Sequence, residues 1–155
     1  MACEVLQRKQ ACACAEKRYT DTQDHLFELM KSMECIPTEH AEQVQLFTWA
    51  RWQSAKYPEL ELMHAIPNGG LRNKKTAALL AAEGVKSGVC DIFLPSAHCG
   101  YHGLYIEMKR TKGGRVSDEQ NKFIEEVTEQ GYAAFVCKGF EAAREIILAY
   151  LTGKL

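Results

Sequence analysis

Apolar residues in this chain recur at two periods, and the switches between them lay out the elements. From 39 to about 52 they fall three and four apart, through Leu46, Phe47 and Ala50, the spacing of a helix with one buried stripe. Thr38, directly after Pro37, is placed to cap its first turn. Residues 60–66 read as a strand that runs into Pro67-Asn68-Gly69-Gly70, a strong turn signal. A short alanine- and leucine-rich helix over 76–83 follows and is closed by Gly84. Two runs of strand length come next, 88–94 and 104–109, joined by a turn-rich segment holding Pro95, Ser96, Gly100 and Gly103. Ser117-Asp118-Glu119-Gln120 matches a capping box for a helix that reaches about 130 and stops at Gly131. Residues 132–138 read as a strand, and 140–151 as an amphipathic helix through Ala142, Ala143, Ile146, Ile147 and Tyr150. This alternation of helices and strands predicts an α/β fold: a mixed central β-sheet flanked by helices.

The two runs around residue 100 carry the chemistry. If they form a hairpin with Leu94 opposite Leu104, counting along both strands puts Asp91 opposite Glu107. Side chains alternate faces, so Glu107 and Lys109 share one face, and Ile106 and Met108 share the other. Two carboxylates that close repel unless a cation lies between them, and hard oxygen ligands suit Mg²⁺. A lysine on the same face can hold a water or stabilise charge on a phosphate. The alternative is a solvated strand face with a surface ion pair. On the first helix Glu39 and Gln43 lie on the side of the apolar stripe. A buried carboxylate there needs a partner, while an exposed one would simply favour the helix dipole; Glu42, on the flank toward Trp49, is the other acid. Gln120, in the capping box, reads from its position as a helix cap.

Cations gather beside these positions. Lys109 to Arg115 holds four in seven residues, with Gly113 and Gly114 letting the backbone bend close to a ligand. Asn68 and Arg72, Lys74 and Lys75 line or follow the glycine turn, and Lys86 precedes the Asp91 strand. Each can meet a phosphate backbone, or be a solvated surface group. The net charge of −1 offers no global attraction to nucleic acid, so local patches must supply it.

With 155 residues, 46% hydrophobic and 25% charged, the chain suits one globular domain. No apolar run spans a membrane and no secretory signal is seen, so a cytoplasmic protein with no membrane partner is expected. Seven cysteines, an odd number, fit a reducing compartment. Cys3, Cys12, Cys14 and Cys35 lack the paired spacing of zinc knuckles, so incidental thiols are preferred over a zinc-binding regulatory protein. Residues 1–36 are expected to form a helical extension, with apolar positions from Leu26 to Met33, and 37–155 the domain proper.

Taken in order, these motifs resemble a known family. Glu39 with Gln43, Pro67-Asn68-Gly69, Gly84-Val85, Gly88-Val89 before Asp91, Glu107-Met108-Lys109, and Ser117 with Gln120 before Gly131-Tyr132 are similar to the stand-alone, phage-type VRR-NUC domains of the PD-(D/E)XK nuclease superfamily. The resemblance covers about 38–150, and departs from the family at Cys90, where proline is usual. It implies a restriction-endonuclease-like core and a metal-dependent DNA endonuclease, using Mg²⁺ or Mn²⁺ on flap or four-way-junction substrates. It further implies a small homodimer working in phage replication, repair or recombination, in the host cytoplasm if phage-encoded. By the same resemblance Asp91, Glu107, the Met108 carbonyl and Glu39 hold metal, Lys109 orients or activates water, and Gln120 positions water or phosphate. The competing class is a non-catalytic DNA-binding or assembly module on the same fold.

Overall fold

The computed structural model describes residues 37–67 and 74–155, with Lys74, Lys75 and Ala77 described in backbone only. Helix α1 (Glu39–Gln53) starts where expected, with the Thr38 hydroxyl accepting from the Ala41 N–H at 3.1 Å. After it the expected strand over 60–66 is largely replaced. Pro58–Leu62 is a 3₁₀ helix, and only His64–Ala65 is strand, β1. The reason lies in which residues go inward. Leu60 and Met63 are buried whereas Leu62 is exposed, a spacing of three that suits a 3₁₀ turn, where residues three apart eclipse. Proline at the first position of the turn favours it further.

The remaining elements are α2 (Lys74–Ala82), β2 (Ile92–Leu94), β3 (Leu104–Lys109), α3 (Asp118–Glu129), β4 (Ala133–Lys138) and α4 (Gly139–Leu151), and only the strand expected over 88–94 is cut short, Gly88 being at positive φ and the pairing starting at Ile92. Their sheet has the order β1-β2-β3-β4. β1 and β2 are antiparallel, β2 and β3 form the predicted hairpin, and β3 and β4 are parallel through α3. The sheet is therefore mixed, as expected. The hairpin register has Leu94 opposite Leu104 and Ile92 opposite Ile106.

The two faces of this sheet are built differently. Ile92, Leu94, Leu104, Ile106, Met108, Ala133 and Cys137 form a fully buried layer with Leu46 and Ala50 of α1 and Ala143, Ile147 and Tyr150 of α4. Truncating Ile147 to alanine here would cost about 2–5 kcal/mol. The other face carries half-buried rings: Phe93 stacks on Tyr105 at 4.4 Å, and Phe123 of α3 meets Tyr105 edge-on at 5.4 Å. No α3 residue is fully buried. This thinner layer leaves room at the far end of β3 for polar groups.

Candidate active site

Asp91 lies one residue before β2, where the ladder with β3 has ended. Its side chain takes the place of the next backbone bond, and Oδ2 accepts the Met108 N–H at 2.9 Å. The register puts Asp91 across from Glu107, as the sequence predicted. Within one residue of an extended strand, N–H and C=O point to the same side. The Met108 carbonyl therefore also faces the Asp91 edge, although the Met108 side chain lies in the core.

Glu107 and Lys109 share the face opposite Met108, and both are buried, at 0% and 6% exposure. Lys109 Nζ lies 2.5 Å from Glu107 Oε1. The Gln120 side-chain amide donates to the same oxygen. Gln120 also closes the predicted capping box, its Oε1 accepting the Ser117 N–H at 2.9 Å while Ser117 Oγ accepts the Gln120 N–H at 3.3 Å. The two readings of Gln120 are thus one arrangement: the cap fixes the amide, and the fixed amide grips Glu107. The Ser117 N–H can pair only with an oxygen, which sets which end of the amide faces Glu107.

Glu107 Oε2 has no hydrogen-bond partner among the described residues and is buried. A buried ionised oxygen without a partner is costly. Burial pushes the Glu107 carboxyl up to about 7, with the Asp91 and Glu39 charges adding to the rise and Lys109 opposing it. A divalent cation held by Glu107 and Asp91 would offset both costs. The donor set of two carboxylates and one main-chain carbonyl is the hard-oxygen chemistry that Mg²⁺ or Mn²⁺ accepts. Among the described residues no three His, Cys, Asp or Glu side chains form a metal-binding group, so an ion held by these two carboxylates would take its further donors from a main-chain carbonyl and water.

The other sequence candidates separate. Glu39 is half-buried in the first turn of α1, and its charge reaches Glu107. The fully buried acid is Glu42, one turn on. Its Oε2 accepts the Phe140 N–H at 2.7 Å and its Oε1 the Thr111 hydroxyl at 3.0 Å. Helical period alone cannot separate the two, because their partners arrive from elements far along the chain. Arg110, Lys112 and Arg115 are exposed on the loop leaving β3, and Lys86 is exposed before Gly88. Gly88 has a φ of +81°, and a Cβ there would meet the Glu119 backbone at 2.7 Å, so that loop is pressed against the start of α3. Asn68 and Arg72 lie outside the described residues, as do residues 1–36 with their cysteines and expected helix, and so does the Lys74 side chain. Cys90 and Cys137 are buried, and burial pushes both thiols up to about 12, which suits packing rather than metal binding.

One residue escaped the sequence reading. Lys138 is exposed and pairs with Lys109 in the parallel β3–β4 register, so it lies on the same face, one strand away. No local motif marks it; only the pairing of strands separated by α3 brings it there.

No helix of the described residues is long and apolar enough to cross a membrane. No curated protein matches the chain. The family model for the VRR-NUC domain matches residues 43–141, starting just after Glu39 and Glu42 and including the hairpin, Gln120 and β4. A solved structure described as a VRR_NUC domain protein is similar at 30% identity and a TM-score of 0.65, over 75% of this chain and 89% of that one. A family match across most of the chain, joined to an alignment spanning nearly all of a solved relative, leads to one conclusion: this chain belongs to the VRR-NUC family, nuclease domains on a restriction-endonuclease-like fold.

Proposed function

We propose that the protein is a metal-dependent endonuclease that hydrolyses phosphodiester bonds in structured DNA, such as flaps or four-way junctions. The observation that carries this reading is the buried Glu107 carboxylate, gripped on one oxygen and open on the other, beside Asp91. Residues 37–155 form the nuclease domain in this reading, residues 1–36 extend it, and the working unit is a homodimer in phage DNA replication, repair or recombination.

Asp91, Glu107, the Met108 carbonyl and Glu39 would hold the ion, which when bound would supply positive charge against the phosphate and a more acidic water. The chain's own residues do the rest. Gln120 and Lys109 hold Glu107 Oε1, which leaves Oε2 free of protein donors among the described residues. Lys109 has two further N–H donors, one to orient the attacking water and one to meet charge building on a non-bridging phosphate oxygen. Both polar ends of Gln120 engage the protein, so its part is to position Glu107 rather than water or phosphate. Arg110, Lys112 and Arg115, with Lys86, Asn68, Arg72 and Lys74, supply phosphate contacts that fix the strand without reading its sequence.

The test is a panel of end-labelled duplex, flap and four-way-junction DNAs, each with Mg²⁺, Mn²⁺ or excess EDTA. Cleavage of branched substrates that needs the ion is expected. Binding without cleavage under every condition would leave a DNA-binding module instead, and cleavage surviving EDTA would remove the metal.

A further inference from the structure

We propose that Glu42 is a positioning residue that holds the basic loop 110–115 in place for DNA by anchoring Thr111; this rests on the reading of the loop as a phosphate-contacting segment. Glu42 lies on α1, Phe140 is the second residue of α4, and Thr111 sits two residues past Lys109 in the turn that starts the basic loop. One buried carboxylate joins all three, accepting from the Phe140 N–H and the Thr111 hydroxyl across 98 and 69 residues of chain.

The Phe140 bond alone would be a sufficient structural reason for the acid. Lys138, the residue before α4, provides no side-chain cap. An orphan N–H at a helix start is an anion-binding group favoured by the helix dipole, so Glu42 caps α4 from another element. The Thr111 bond is not needed for that cap. Thr111 is exposed, and its hydroxyl has water available in any other loop conformation. Its engagement therefore selects one conformation of the loop.

Two glycines make that conformation possible. At Gly139, with a φ of +85°, a Cβ would meet Thr111 Oγ1 at 2.8 Å and Glu42 Oε1 at 3.2 Å, so only glycine lets the loop and the carboxylate approach α4. At Gly114 a Cβ would fall 2.9 Å from the Lys109 Cβ, so the loop folds back over the end of β3. Glu42 thus pins Thr111, near the start of the loop, and Gly114, three residues on, lies on Lys109. Arg110, Lys112 and Arg115 are distributed along this pinned segment, with Lys138 beside it.

The experiment uses Thr111→Val, which deletes the hydroxyl and leaves the Glu42–Phe140 cap, with Thr111→Ser as the conservative variant. In DNA-free protein, amide exchange at Lys112, Gly113 and Gly114 should quicken about tenfold in Thr111→Val. With a cleavable DNA, KM should rise about tenfold while kcat at saturating DNA stays near wild type. Thr111→Ser should restore both. Unchanged exchange in Thr111→Val overturns the proposal, as does faster exchange with unchanged KM, which would leave Glu42 a helix cap only. Lys112→Ala with Arg115→Ala is the separate control for the underlying reading. If that double variant binds DNA as wild type does, the loop is not the phosphate track, whatever the exchange experiment finds about Glu42. If the wild type binds but does not cut, a DNA-binding titration replaces KM and decides the proposal equally.

Discussion

Among the described residues two glutamates are buried, and they are treated in opposite ways. Glu42 has a partner for each oxygen, the Phe140 N–H and the Thr111 hydroxyl. Among the described residues Glu107 has both its donors, Lys109 and Gln120, on one oxygen and none on the other. A buried carboxylate satisfied on both oxygens ties elements together. One held rigidly by one oxygen and left open at the other is shaped for something the protein does not supply. On the proposed function, the difference marks Glu107 as the acid of the site and Glu42 as the acid that ties elements together around it.

Substitutions should divide the pair along the same line. The largest expected effect is on chemistry at Glu107. Glu107→Gln should keep the fold, since it removes a buried charge, yet lower single-turnover cleavage by several kcal/mol of barrier, about a thousandfold or more. A thermal melt beside a cleavage time course checks this, and wild-type cutting would show that the open oxygen has no role. Lys109→Met keeps the stem's length and loses the charge; the expected loss is about a hundredfold in rate, with DNA affinity nearly unchanged because the ammonium acts mainly when charge develops. Normal cutting by this variant would return Lys109 to a simple ion-pair partner.

At Glu42 the expectation reverses. Glu42→Ala strands the Phe140 N–H and should destabilise the protein by about 1–3 kcal/mol, read as the shift of a urea midpoint. A neutral result would mean that the α4 cap finds another acceptor. A last effect concerns pH. Glu107 has an ordinary value of 4.5, pushed up to about 7 by burial. The native state therefore binds more protons than the unfolded state between these values. Ion-free stability should fall as pH rises through that window and level off above it. An ion must displace this proton, so its stabilisation should grow by up to about 1.4 kcal/mol per pH unit across the same window. Melting curves with and without Mg²⁺ from pH 5 to 8 test this; a metal effect independent of pH would place the ion away from Glu107.

Local signals settled much of the molecule. Thr38 and the Ser117–Gln120 box fixed two helix starts, because caps act within four residues. Gly84 and Gly131, both at positive φ, fixed two helix ends. The apolar runs and the turn between them fixed the hairpin register, and with it the meeting of Asp91 and Glu107, since both strands are adjacent in sequence. The strand expected over 60–66 failed because alternating residues can also satisfy a turn whose buried positions are three apart, and only the packed core chooses between them. Tertiary structure alone decided which glutamate of α1 is buried, that Gln120 grips Glu107 as well as capping its helix, and that Lys138 stands beside Lys109. Each depends on a partner brought from a distant element, and the energy that selects it, burial of a charge against a specific donor, does not exist until the chain has folded.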